Sequence, residues 1–187
     1  MATINGLDLG LSGSTGTVHF VGSTSPTLVT PILGAATATS LAFSPTTSGI
    51  IGTATNDNAA AGKVGEVISS YIVSGSALSL TTTTVTNLTS ISLTTGDWDV
   101  YGSAAIIGST ANLTDAIIGV NTTSATLPDA SLYSILASTT PCNGFGTSAP
   151  FQRLSLSITT TVYLVVYAVF GSGTATACGG IIARRAR

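Results

Sequence analysis

Through Gly96–Gly108 apolar and polar positions alternate with a period of two. Trp98, Val100, Ala104 and Ile106 share one parity, and Asp97, Asp99 and Tyr101 share the other. Successive side chains of a strand point to opposite faces, so one face is apolar and the other carries two carboxylates and a phenol. Turning the strand over would bury both carboxylates without partners, which costs far more than exposing an indole. Trp98, the sole tryptophan, is therefore expected at the centre of a β core.

The same reading places strands at Val64–Val73, Ala77–Leu80, Val85–Leu93, Asp115–Val120 and Ala130–Ala137, with turn residues such as Ser74-Gly75-Ser76 between them. Pro141–Gly146 reads as a loop. Phe151–Phe170 reads as a hairpin. Leu154, Leu156 and Ile158 alternate with Arg153, Ser155 and Ser157, Thr159–Thr161 turns the chain, and Val162–Phe170 returns. The returning strand is apolar on both parities, so both faces are expected to be covered, one of them by another subunit. Thr174–Ala183 gives a last strand before an arginine-rich end. Roughly eight or nine short, evenly spaced strands predict an all-β fold, a β-sandwich or jelly roll.

Residues 1–60 lack this pattern. Short apolar runs (Val18–Val21, Leu28-Val29, Ile32-Leu33, Ile50-Ile51) alternate with Gly, Ser, Thr and Pro, and Pro26, Pro31 and Pro45 exclude a continuous helix. The runs are too short to form a core alone. We read 1–60 as an extended arm or shaft, buried against copies of itself or a neighbouring protein and able to reach about 200 Å at ~3.3 Å per residue. Asn56–Lys63 is a turn at the boundary, and 61–187 is the β-sandwich domain.

Composition adds one inference. Only 6% of the 187 residues are charged and 44% are hydrophobic, against roughly a quarter charged in an average soluble domain. So little charge points to an assembly rather than a free monomer. The longest apolar run, Val162–Phe170, is nine residues long, far short of the roughly 20 of a membrane-spanning helix, so no membrane insertion is expected. The start has neither a basic n-region nor an apolar h-region, so no secretion signal is expected either. Net charge is −2 and no basic run precedes Arg184, which argues against a nucleic-acid partner.

Candidate chemistry is sparse. His19 stands alone in the arm, Gly62-Lys63 lacks the flanks of a phosphate loop, and Gly144-Phe145-Gly146 lacks the third glycine of a dinucleotide site. Asp97 and Asp99 could together hold Ca²⁺, but without further clustered oxygens they read as solubilising acids. Cys142 and Cys178 fit no metal spacing and read as buried free thiols. Asn87, Asn112 and Asn121 begin glycosylation-acceptor triplets that read as chance matches. No catalytic, cofactor-binding or metal residue is assigned, no cofactor is expected, and the chain reads as not an enzyme.

Phe20–Gly34 resembles a segment that recurs in tail-fibre and other fibre proteins of tailed bacteriophages and prophages. Gly62–Glu66, Leu88–Val100, Ser124–Pro128, Gln152–Ser157, Thr160–Leu164 and Ala183–Arg185 resemble, in that order, a second phage module. The resemblance implies a structural protein of a bacteriophage virion, assembled in the host bacterial cytoplasm and exposed on the particle. It implies a homotrimeric tail or head fibre, attached to other virion proteins through its N-terminal arm. The C-terminal head would be a jelly-roll-like sandwich similar in shape to tumour-necrosis-factor and C1q domains, able to bind a host-surface receptor. Arg184, Arg185 and Arg187, the one charge cluster, would then pair across subunits with Glu66, Asp97 or Asp99 near the threefold axis. Turn-rich Gly108–Thr114, Asn121–Asp129 and Thr139–Pro150 are candidate receptor loops. The alternatives are a capsid or tail decoration protein with a purely structural role and, last, a depolymerase, for which seven acids in the whole chain leave little to cluster in a groove.

Overall fold

Strands account for most of residues 67–185, and they divide between two antiparallel sheets. The structure is a computed structural model that describes residues 54–108 and 112–187, without the side chains of 139–142. In chain order the strands are β1 Val67–Ile72, β2 Leu78–Leu80, β3 Thr86–Leu93, β4 Gly96–Gly108 and β5 Leu113–Asn121, then β6 Tyr133–Cys142, β7 Gly144–Ser148, β8 Gln152–Leu156, β9 Thr160–Phe170 and β10 Ala175–Arg185. Sheet A has the order β1-β10-β4-β7, with β2 also on β10 and β8 also on β4; sheet B has the order β3-β9-β5-β6. The domain is a β-sandwich.

The period-two pattern explains the core. Trp98, Val100 and Ile106 of β4 have no exposed surface, and they share one cluster with Ile118, Val162, Leu164 and Val166 of sheet B. Each fully buried aliphatic side chain contributes roughly 1.5–3 kcal/mol. The sheets interlock at Gly102, where a Cβ would lie 2.7 Å from Leu164 Cδ1 and 3.1 Å from Val120 Cγ2.

Three elements differ from their sequence reading. Ala130–Leu132, expected to open a strand, is a 3-10 turn capped by Asp129, and β6 starts only at Tyr133. Phe151–Phe170 is not a hairpin. β8 pairs with β4 in sheet A (Leu154↔Trp98), β9 pairs with β3 and β5 in sheet B, and Ser157–Thr159 carries the chain between sheets. Alternation reveals which face is buried, not which strand lies alongside. Both strands present even-numbered residues to the same core, one from each side. Pro141–Gly146 is not a loop either. β6 runs through Cys142, β7 starts at Gly144, and only Asn143 intervenes. The glycines of β7 are held by its ladder to β4, with Ile107↔Gly144 and Ala105↔Gly146.

On β9 the even residues fill the core, and on the outer face Val165 also has no exposed surface. For Val165 the chain itself supplies that cover, while Tyr163, Tyr167 and Val169 on the same face are half-buried. Val165 lies between Asn87 and Gly119 in the ladder. The Asn87 side chain bonds Ser124 and Ala125, and a Cβ on Gly119 would meet Pro128 at 2.8 Å, so segment 124–128 crosses Val165.

Of the predicted arm, residues 1–53 lie outside the described residues, His19 and the three prolines among them. Just beyond, Asn58 grips β1: Nδ2 donates to Val67 O (2.7 Å) and Oδ1 accepts from Val67 N (3.0 Å).

Candidate functional site

The charged residues singled out in the sequence meet at one end of the sandwich, within one chain. Arg185 ends the core-facing side of β10 opposite Trp98. It is 5% exposed, and its guanidinium sits 4.3 Å from the indole centroid. Nε donates to Glu66 Oε2 (2.9 Å), Nη1 to Thr95 O (2.8 Å) and Nη2 to Thr94 Oγ1. Trp98 Nε1 donates to Thr94 O (2.9 Å), so cation, indole and turn hold one another. Gly96, at φ +129°, lets the guanidinium pass, because a Cβ there would collide with Arg185 Nη1. Gly62 N, donating at 2.8 Å, and then Arg185 hold the Glu66 carboxyl below the usual range.

Asp97 corrects an expectation. Its parity is outward as predicted, yet it is 7% exposed rather than a solvated acid. The ladder between β10 and β4 runs one residue further here, with Ala186 N donating to Asp97 O at 2.8 Å. Its carboxylate accepts from Ser155 Oγ and Arg187 Nε, and from Arg153 Nη2 at 3.4 Å. The Ser155 hydroxyl first, then Arg187, with a smaller contribution from Arg153, lower its pKa to about 2. Arg185 thus pairs with Glu66, and Arg187 with Asp97, within the chain. Arg184 lies beside Asp99 in the ladder. Among the described residues no group of three or more His, Cys, Asp or Glu could hold a metal ion. Cys178 is a half-buried free thiol rather than a buried one, and the Cys142 side chain lies outside the described residues.

Of the three candidate receptor loops, Asn121–Asp129 is a loop. Thr139–Pro150 is mostly β6 and β7, and 109–111 lie outside the described residues. The sequence reading missed the outer face of sheet A. Tyr71, Tyr101, Ile107 and Phe151 are 47–61% exposed there. The registers Ser69↔Ile182↔Tyr101 and Tyr71↔Gly180↔Ser103 put both tyrosines on that face. The Tyr101 and Phe151 rings are 5.1 Å apart, tilted 45°. A charged row, Arg184, Asp99 and Arg153, borders the patch at one end. That exposed apolar surface lies on sheet A, while on the outer face of sheet B Ile135, in register with Ile117 and Tyr167 of β9, is 56% exposed. Tyrosines outside the core parity of β1 and β4 were the available signal.

No protein-family model matches the chain, and no curated protein matches it. Among solved structures, the crystal structure of the infectious bursal disease virus VP2 subviral particle is similar over 65% of this chain, with 14% identity and a TM-score of 0.36. The chain spans 33% of that neighbour's length. A likeness of that degree decides nothing about function.

Proposed function

We propose that this chain is a structural, non-enzymatic protein of a bacteriophage virion, a homotrimeric fibre with residues 61–187 as its head. Residues 1–60 join it to other virion proteins, and the head is exposed on the particle, where it can meet the host surface. One observation carries the self-assembly: the apolar outer face of sheet A, bordered by charge at one end, in a chain with 6% charged residues. Exposed apolar patches with a polar border mark contact surfaces. The resemblance of Phe20–Gly34 and of the body motifs to phage fibres supplies the kind of particle. The strand pairing supports a jelly-roll head. β1 pairs with β10, β3 with β9, β4 with β8 and β7, and β5 with β6. These nested pairs are those of a long hairpin folded into two sheets. The ion pairs of Glu66 and Asp97 support a role for these acids in holding the fold.

The experiment is the mass of the full chain in solution, by light scattering behind a sizing column. A trimer is the expected result. A monomer would overturn the fibre reading in favour of a decoration protein that takes its partner from the capsid or tail.

A further inference from the structure

A cleft of about 340 Å³ opens at the edge of the sandwich, between strand β8 and the loop that follows β5. Leu127, Pro128, Leu132 and Leu154 make its walls. The loop is held in place from several sides. Asn121 Nδ2 donates to Thr126 O (2.9 Å) and its Oδ1 accepts from Thr123 N (3.1 Å). Asn87 reaches over from β3, accepting from Ala125 N and donating to Ser124 Oγ, each at 2.7 Å. Pro128 sits on Gly119, where no side chain intervenes. The cleft is thus preformed, and a ligand need not order it.

Gln152 lines the cleft and is 8% exposed. Its Nε2 donates to Val120 O (3.0 Å) and to Leu132 O (3.3 Å). Both neighbours are carbonyls, so the amide nitrogen belongs there and both its hydrogens are used. The carbonyl Oε1 is thereby turned the other way. No described group donates to it. Yet among the described residues no buried side-chain nitrogen or oxygen lacks a partner, so Oε1 keeps accessible surface, and the space that Gln152 lines is the cleft. Asp129, also in the lining, accepts from Ser131 N and Oγ through Oδ1, which leaves Oδ2 as a second acceptor, and no Lys or Arg lines the space.

Oriented acceptors without a cation favour hydroxyl donors and disfavour anions, and apolar walls suit the C–H faces of a pyranose ring. We propose that this cleft binds a neutral sugar residue, with one hydroxyl donating to Gln152 Oε1 and another to Asp129. Sugar binding stands on this geometry alone; that the sugar belongs to a host-surface glycan rests on the fibre reading above.

The test is saturation-transfer NMR on the full chain with glucose, galactose and N-acetylglucosamine as probes, and with glucosamine and glucuronate as charged controls. At least one neutral sugar is expected to receive saturation. That signal should fall to background in Gln152→Leu, which keeps the bulk and removes the acceptor. Because Gln152→Leu also frees two backbone carbonyls, Thr122→Arg decides. It places a cation in the cleft from an exposed position and should abolish the signal at an unchanged melting temperature. No signal from any neutral sugar, signal from a charged control alone, or full signal in Thr122→Arg overturns the proposal. Adhesion of labelled full chain to host cells separates the two readings. Equal adhesion by wild type and Thr122→Arg removes the cleft and leaves attachment standing. Sugar binding without adhesion removes attachment and leaves the cleft.

Discussion

Replacing Arg185 with methionine is expected to lower the melting temperature by about 10 °C. The substitution keeps an apolar stem over Trp98 but removes the charge from a group that is 5% exposed. Glu66, itself 7% exposed, is left with Gly62 N as its remaining hydrogen-bond donor, and the carbonyl of Thr95 and hydroxyl of Thr94 lose their donors. Removing one partner of a buried ion pair costs about 3 kcal/mol or more, whereas replacing both by apolar groups is often nearly neutral. About 3 kcal/mol corresponds to roughly 10 °C in a domain of this size. The double variant Glu66→Leu, Arg185→Met should therefore melt above the single variant. Circular dichroism at fixed protein concentration checks both, since the midpoint of an oligomer depends on concentration. A single variant within about 2 °C of wild type, well under 1 kcal/mol, would show that the buried cation contributes little.

Gly179→Ala is expected to be more severe, leaving little folded protein. Gly179 has φ +151° and faces Ala104 across the ladder between β10 and β4. A Cβ there would lie 2.6 Å from Ala104 Cα and closer still to Ser103 O. Both obstacles are backbone in the middle of sheet A, so neither can yield without breaking the ladder, and a loss above about 4 kcal/mol is expected. The neighbouring Gly180→Ala provides the comparison. Its Cβ would meet the Tyr71 ring, which is 61% exposed and can swing outward, and would lie 3.0 Å from Ser70 O, which must give by a few tenths of an ångström, so the expected loss is about 1–2 kcal/mol. Gly146, with nothing within 4 Å of its Cβ position, is the control. Urea midpoints of the three variants should rank Gly146→Ala above Gly180→Ala above Gly179→Ala. Equal stability of the first and last would contradict the close approach of β10 to β4.

Much of the sandwich was legible because alternation reports burial directly. β4 runs over the residues expected, and Trp98 is at its core. Partner choice was not legible, since Leu154 and Val162 carry the same parity signal whichever sheet they join. Turn-type residues misled at Gly144 and Gly146, where pairing with β4 outweighs local preference. The burial of Asp97 depends on Arg153, Ser155 and Arg187, partners 56, 58 and 90 residues away in sequence, which no local pattern reports. Gln152 was within reach: it shares parity with Leu154 and Leu156, and a polar residue at a core-facing position signals a built-in hydrogen-bonding role. Asn121 likewise shows local loop chemistry, its side chain bonding backbone groups of the segment after β5, whereas the bonds of Asn87 to that segment span 37 and 38 residues and no local pattern reports them.

Self-association through the outer face of sheet A is tested most directly by the solution mass of full-length Tyr101→Asp beside wild type. Tyr101 is 52% exposed and its one ring contact is with Phe151, so an acid there costs the single chain little, while a charge at the centre of an apolar contact opposes assembly. The expected result is a trimeric wild type and a monomeric variant with the same circular dichroism spectrum. A variant that remains trimeric would place the subunit contact elsewhere, and a monomeric wild type would contradict self-association altogether.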